Sequence, residues 1–202
     1  MHATIPAVLE RLPLVGEWNN STVMVRAFLA LELSEEIRDR LKLAQDTLRT
    51  CPSRMTFVEP ENIHITMKFL GDVDDGLLPR VMEAVKKVPF KPFPVNIGHV
   101  TVNNPKRPFT VWCTISDAGK GEELFRLVED ALAPLGFAKE SRRFTPHATL
   151  ARIKEPASAL FTVLDTLKGK MYGDCIINGI KLKKSTLTPQ GPVYADLLEV
   201  LW

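Results

Sequence analysis

Two of the four histidines stand in segments able to hold them for proton transfer: Glu61-Asn62-Ile63-His64-Ile65-Thr66-Met67-Lys68-Phe69-Leu70-Gly71 and Phe144-Thr145-Pro146-His147-Ala148-Thr149-Leu150-Ala151-Arg152. Each reads as a short strand carrying His and Thr two positions apart. Strand side chains alternate between faces, so the imidazole and hydroxyl of each pair point the same way. Two such strands facing each other surround one small anion with two imidazoles and two hydroxyls. That set suits phosphoester chemistry without a metal, one imidazole removing a proton while the other supplies one.

The spacing alone selects nothing, because His2 is followed by Thr4 and His99 by Thr101 in the same way. What separates the pairs is context: a preceding turn, a following apolar strand and nearby cationic residues. His2 lies in a terminus with no scaffold to hold it. His99 follows Gly98 in a plausible strand and is the rival candidate. Neither a tight His, Asp and Glu cluster nor a Gly-rich phosphate loop or dinucleotide fingerprint is present, so no metal and no cofactor is expected.

With 202 residues, 45% hydrophobic and 25% charged, the composition is that of an ordinary globular chain able to bury a substantial core. A net charge of +2 is too small to argue nucleic-acid binding by bulk electrostatics. Cys51, Cys113 and Cys175 are odd in number and far apart, which reads as reduced thiols in a cytoplasmic protein. No apolar run approaches the roughly 18 to 20 residues of a membrane span. Residues 1–23 read as an extension, neither anchor nor signal peptide, ahead of a single unit over 24–202.

The elements that must position the histidines follow from periodicity. Val23, Val25, Ala27, Leu29 and Leu31 alternate as in a half-buried strand. Ser34 then caps a helix with Glu35 and Glu36 in its first turn and an apolar stripe of Ile37, Leu41, Ala44 and Leu48. A strand near Met55 to Val58 and a Pro-Glu-Asn turn lead to the first motif strand. There Ile63, Ile65, Met67 and Phe69 are expected to face the core, opposite His64, Thr66 and Lys68. A helix carrying Leu78, Val81, Met82 and Val85 and ending at Pro89, strands over 93–102 and 110–115, and a helix over 122–133 precede the second motif strand. A further helix through Leu160 to Leu167 and three closing strands complete the chain. Each motif strand thus has a helix before it and another after it, so an α+β arrangement of two similar lobes is expected rather than a doubly wound sheet.

The segments Ile63-His64-Ile65-Thr66 with Phe69-Leu70-Gly71, and Pro146-His147-Ala148-Thr149-Leu150, resemble the paired signature of the 2H phosphoesterase superfamily. Within it the chain is similar to the RNA 2′,3′-cyclic phosphodiesterases, or LigT-like proteins. The opening Arg26-Ala27-Phe28-Leu29-Ala30, the Pro60-Glu61-Asn62 approach, Arg152, and the closing Ser185, Leu187 and Tyr194 fit as well; Gly98 to Trp112 fits only loosely. The resemblance implies two pseudo-symmetric lobes, each an antiparallel sheet with helices on its outer face, enclosing a central cleft. It implies metal-independent hydrolysis of a terminal RNA 2′,3′-cyclic phosphate to a 2′-phosphate. On that pattern His64 is the proton donor to the departing 3′ oxygen and His147 the acceptor that activates water. Thr66 and Thr149 hold the nonbridging oxygens, Arg152 helps bind the phosphate, and RNA, including tRNA fragments, is the partner of a monomeric enzyme.

Lys68 is a further substrate-binding candidate, Tyr194 a candidate to stack on a base, and Phe28 reads as core. Three alternatives stay open. The same acid and base serve RNA 2′,5′ ligation of tRNA halves or hydrolysis of a small cyclic nucleotide. A noncatalytic module that holds an RNA end is the third.

Overall fold

The computed structural model describes residues 23–188 and 191–202. The expected extension therefore lies, apart from Val23, outside the described residues, and His2 with it. The elements run β1 (Met24–Glu32), α1 (Glu35–Arg49), β2 (Arg54–Phe57), β3 (His64–Asp74), α2 (Leu78–Lys86), β4 (Phe93–Val102), β5 (Thr110–Ser116), α3 (Lys120–Leu132), β6 (His147–Glu155), α4 (Leu160–Leu167), β7 (Gly173–Ile177), β8 (Gly179–Thr188) and β9 (Gly191–Leu201). Ser34 caps α1 as expected, its hydroxyl accepting from the Ile37 N–H at 3.4 Å. Glu35 and Glu36 sit at the positive end of that helix's dipole.

The strands form one path in the order β7-β4-β5-β6-β3-β1-β8-β9, with β2 added beside β6. Every described pairing is antiparallel. The order is palindromic about its centre. β6 answers β3, β5 answers β1, β4 answers β8 and β7 answers β9, which is the two-lobed α+β architecture. Among the described residues β3 and β6 share a single ladder pair, Ile65 with Ala148, and the face of the sheet opposite the helices is the concave one.

Helices cover the opposite side. α1 packs on α4, β6 and β7, whereas α2 packs on α3 and β9. Each motif helix thus crosses to the other half: α1 leaves β1 and covers the β6 half, and α3 leaves β5 and covers the β3 half. The core beneath is built from the inward positions of both sheets, with Leu29, Leu31, Ile65, Ile97, Leu150 and Leu41 essentially excluded from solvent. All three cysteines are buried and free, and burial pushes the Cys113 thiol up to about 12.

Both motif strands carry an irregularity at the same place, and β3 carries a second one opposite Ala27 and Phe28. The β1 register against β3 slips between Leu29 and Ala30, opposite Lys68 and Thr66. The β5 register against β6 slips between Val111 and Trp112, opposite Ala151 and Thr149. A bulge inserts one residue and reverses the facing of everything after it. Lys68 and Ala151 are consequently buried, and Phe69 and Arg152 emerge on the exposed side. This corrects the expected facing of two residues. Phe69 is 70% exposed rather than core. Lys68 leaves the face of His64 and is buried with Glu129, its Nζ donating to Glu129 Oε1 at 2.6 Å and to the Ala138 carbonyl at 2.8 Å.

Candidate active site

His64 and His147 are the first residues of β3 and β6. Their neighbours Ile65 and Ala148 form the pair that joins the halves. Extending that antiparallel register by one residue sets His64 across from Thr149 and Thr66 across from His147. The two imidazoles are then diagonal neighbours, a relation in which separations of roughly 7–8 Å are typical. Ile65 and Ala148 face the core, so both histidines and both threonines open onto the concave side.

Local backbone fixes each ring in the same way. His64 Nδ1 lies 2.7 Å from the Asn62 carbonyl, and His147 Nδ1 lies 2.7 Å from the Thr145 carbonyl. A carbonyl only accepts, so Nδ1 carries the proton in both rings and Nε2 is the nitrogen left to exchange one. His64 Nε2 is 3.1 Å from Thr66 Oγ1. The turn residues before each strand, Pro60-Glu61-Asn62 and Thr145-Pro146, thereby set the tautomer.

The walls around the two rings differ. Phe28 stacks on His64 at 5.1 Å between centroids, and Tyr194 meets both edge-on, at 5.7 Å from His64 and 5.0 Å from Phe28. Phe69 adds a tilted contact to Phe28 at 6.1 Å. Trp112, across from Thr149 in register, lies 4.2 Å from the His147 ring. Desolvation by these walls lowers the pKa of His64. The Asn62 carbonyl and Glu32 act in the raising direction, and Lys183 and His147 lower it further. His147 is lowered as well, by burial, against the raising effect of its bond to Thr145. Each proton on His64 is thus sensitive to charge on His147, as expected of rings that share a cleft.

Arg152 pairs in register with Thr110 of β5 and Thr56 of β2. Its charge reaches the Tyr194 hydroxyl on the other half, which burial pushes up and Arg152 pulls down. Arg152 is exposed on the side of the sheet that carries His147. Lys68, held by Glu129 behind the sheet, has no route to it. His99 lies one strand farther out, on β4, with its Nδ1 3.4 Å from the hydroxyl of Thr114, the residue paired with His147. It belongs to the same face but to a neighbouring row. Two surface hollows lie on the helical side, one against α2 and α3 near Arg80 and Glu83, the other near Arg126 and Lys139, away from both imidazoles.

Trp112 and Glu32 are site residues that the motif segments do not include. Alternation along β5 places Trp112 opposite Val111, Cys113 and Ile115, a legible signal for the open face. Glu32 ends β1 and pairs in register with His64. Among the described residues, no group of three or more His, Cys, Asp or Glu is arranged to hold a metal ion, and no helix is long and apolar enough to cross a membrane.

The profile of the LigT-like phosphoesterases matches residues 31–112 and 116–194. The chain is 36% identical over 178 residues to the RNA 2′,3′-cyclic phosphodiesterase of Methanothermobacter thermautotrophicus, covering 86% of this chain and 96% of that protein. It is 33% identical over 174 residues to the enzyme of the same name from Archaeoglobus fulgidus, covering 86% and 98%. Among solved structures, a Thermus thermophilus protein superposes with a TM-score of 0.75 at 26% identity, over 87% of this chain and 97% of that one. The LigT protein of E. coli in its apo form, at 19% identity, superposes with a TM-score of 0.71 over 89% and 98%, a likeness of fold. The palindromic sheet, the paired His-x-Thr strands at its junction and these likenesses agree, and the chain belongs to the LigT-like phosphoesterase family.

Proposed function

We propose that this protein hydrolyses the terminal 2′,3′-cyclic phosphate of RNA to a 2′-phosphate by two-histidine acid and base catalysis, without a metal. The observation that carries the reading is the equivalent placement of two imidazoles at the one junction of the halves, each with Nδ1 tied to a carbonyl and Nε2 left to exchange a proton. The names of the relatives support the substrate.

A cyclic phosphodiester is strained and already anionic, so it needs an in-line water, a protonated leaving oxygen and donors toward its nonbridging oxygens. His147 Nε2 takes a proton from water as the water oxygen bonds to phosphorus. His64 Nε2 gives its proton to the 3′ oxygen as the P–O3′ bond breaks, leaving a 3′ hydroxyl and a 2′-phosphate. Thr66 and Thr149 supply hydroxyl donors beside the rings, and Arg152 supplies the fixed positive charge. Tyr194 and Phe28 form the wall nearest the ribose and base. The unit spans residues 24–202, and it acts as a cytoplasmic monomer on RNA ends such as tRNA fragments.

Incubation of the protein with an oligoribonucleotide ending in a 2′,3′-cyclic phosphate, in the presence of excess chelator, tests this. The expected product is the 2′-phosphate alone, formed at an undiminished rate. A 3′-phosphate product, loss of turnover with chelator, or no turnover contradicts it.

A further inference from the structure

We propose that Glu32 is a positioning residue that makes the two imidazoles unequal, holding His64 as the cationic donor, whereas Thr114 at the equivalent place leaves His147 to act as acceptor. This rests on the two-histidine reading above and explains which ring takes which role.

The palindrome of the sheet makes the comparison direct. Glu32 on β1 pairs in register with His64, and Thr114 on β5 pairs in register with His147. The two positions are equivalent: each lies on the strand beside its motif strand, directly opposite the histidine. One bears a carboxylate and the other a hydroxyl.

The carboxylate is fixed by its own partners. Arg38 Nη1 donates to Glu32 Oε2 at 3.1 Å, and Lys183 Nζ lies 2.7 Å from Glu32 Oε1. The latter contact is an ion pair, and the buried Oε1 has no hydrogen bond besides it. Lys183 is shared, because it also donates to Asp196 Oδ1 at 2.8 Å, and Asp196 Oδ2 accepts from Lys181 at 2.7 Å. Charge alternates along this row, so Lys183 is shared between Glu32 and Asp196.

The charged and titratable groups around His64 are Glu32 on β1 with its partners Arg38 on α1 and Lys183 on β8, Tyr194 on β9, and His147 on β6. Of the side-chain charges that act on His64, Glu32 has the largest influence and favours the protonated ring, opposing the cost of burial. Around His147 stand Trp112 and Thr114 on β5, with His99 of β4 against the Thr114 hydroxyl, and His64 on β3. Its register partner contributes no charge, and burial favours the neutral ring. A carboxylate on one side only biases a nearly symmetric scaffold toward protonation of His64 rather than His147.

Histidine ring titration by NMR, with the pH dependence of kcat/KM on the cyclic-phosphate RNA alongside, tests the assignment in the parent and in Glu32→Gln. The expected result is a fall of the His64 midpoint by about one pH unit, with the His147 midpoint nearly unmoved. The alkaline limb of the rate profile falls with His64. A role in folding alone lowers the amplitude and moves neither the midpoint nor the limb, and an unmoved His64 midpoint overturns the proposal. Thr114→Asp provides the reciprocal arm should Glu32→Gln fail to fold: the His147 midpoint and the acid limb are expected to rise, and their constancy overturns the proposal. The NMR midpoints are read whether or not the RNA turns over. Loss of the hydrolase reading with a shifted His64 midpoint therefore differs from loss of the Glu32 role with turnover intact.

Discussion

The two halves carry the same motif on the same bulged strand, yet surround it with opposite materials. The His64 half presents Phe28, Phe69 and Tyr194, and places Glu32 opposite the ring. The His147 half presents Trp112, Thr114 and Arg152. Phe69 and Arg152 occupy matching places just after the bulge, one an exposed aromatic and the other an exposed cation. A repeated scaffold thus fixes where the imidazoles stand. The residues one strand away differ, and on the proposed reading one wall suits a base and the other a phosphate.

The largest difference to exploit is Lys68, buried behind the first bulge where the second has Ala151. Lys68→Ala leaves Glu129 charged and unpaired in the core and is expected to cost about 3–5 kcal/mol of stability, measured by urea unfolding. Glu129 also accepts from the Glu140 N–H at 3.0 Å, so its displacement loosens the segment leading to His147. A loss under ~1 kcal/mol contradicts this account, since that is the value of an exposed pair.

The matching places after the bulges come next. Arg152→Ala is expected to reduce kcat/KM on the cyclic-phosphate RNA by the equivalent of about 1.5–3 kcal/mol, the value of a hydrogen bond to a charged group. Phe69→Ala is expected to cost less. Steady-state kinetics with both variants decide it, and equal losses break the contrast between a phosphate wall and a base wall.

Trp112→Ala probes the wall beside His147. Admitting water relieves the burial that lowers this ring, so its pKa rises toward 6.5 and the acid limb of kcat/KM moves to higher pH. An unchanged acid limb excludes Trp112 as the source of the desolvation.

The smallest effect is on stability. Both rings titrate below the ordinary 6.5 in the folded chain, so the unfolded chain binds more protons between the two values. Stability is then fully present above 6.5 and falls as pH drops from there toward the depressed values. The denaturant midpoint of the parent is expected to fall as pH drops through this range, and that of a His64→Asn, His147→Asn variant to fall less; equal slopes contradict it.

The order of elements was legible because nearly all are set by local patterns: the Ser34 cap, the alternation along β1 and the stripes of the helices. Both His-Thr pairs were legible for the same reason, since alternation holds between His64 and Thr66 and between His147 and Thr149. It fails one step later. A bulge depends on the register of a partner strand distant in sequence, so Lys68 and Phe69 were assigned to each other's faces. Arg152, which strict alternation from His147 puts behind the sheet, reaches the cleft only because of the second bulge. Glu32 was hidden by a different cause. Its importance lies in a pairing across strands, and no feature of Leu31-Glu32-Leu33 announces it.

The most direct test of the account is turnover of an RNA 2′,3′-cyclic phosphate by His64→Ala, His147→Ala, their double variant and His99→Ala. Each single loss at the junction is expected to lower kcat by about 10²–10⁴, the double variant by little more than either, as for groups acting on one reaction centre, and His99→Ala to retain most of the parent rate. Retention of near-parent turnover by either junction variant, or loss through His99→Ala of the same size, contradicts the claim that the imidazoles at 64 and 147 serve a single phosphorus.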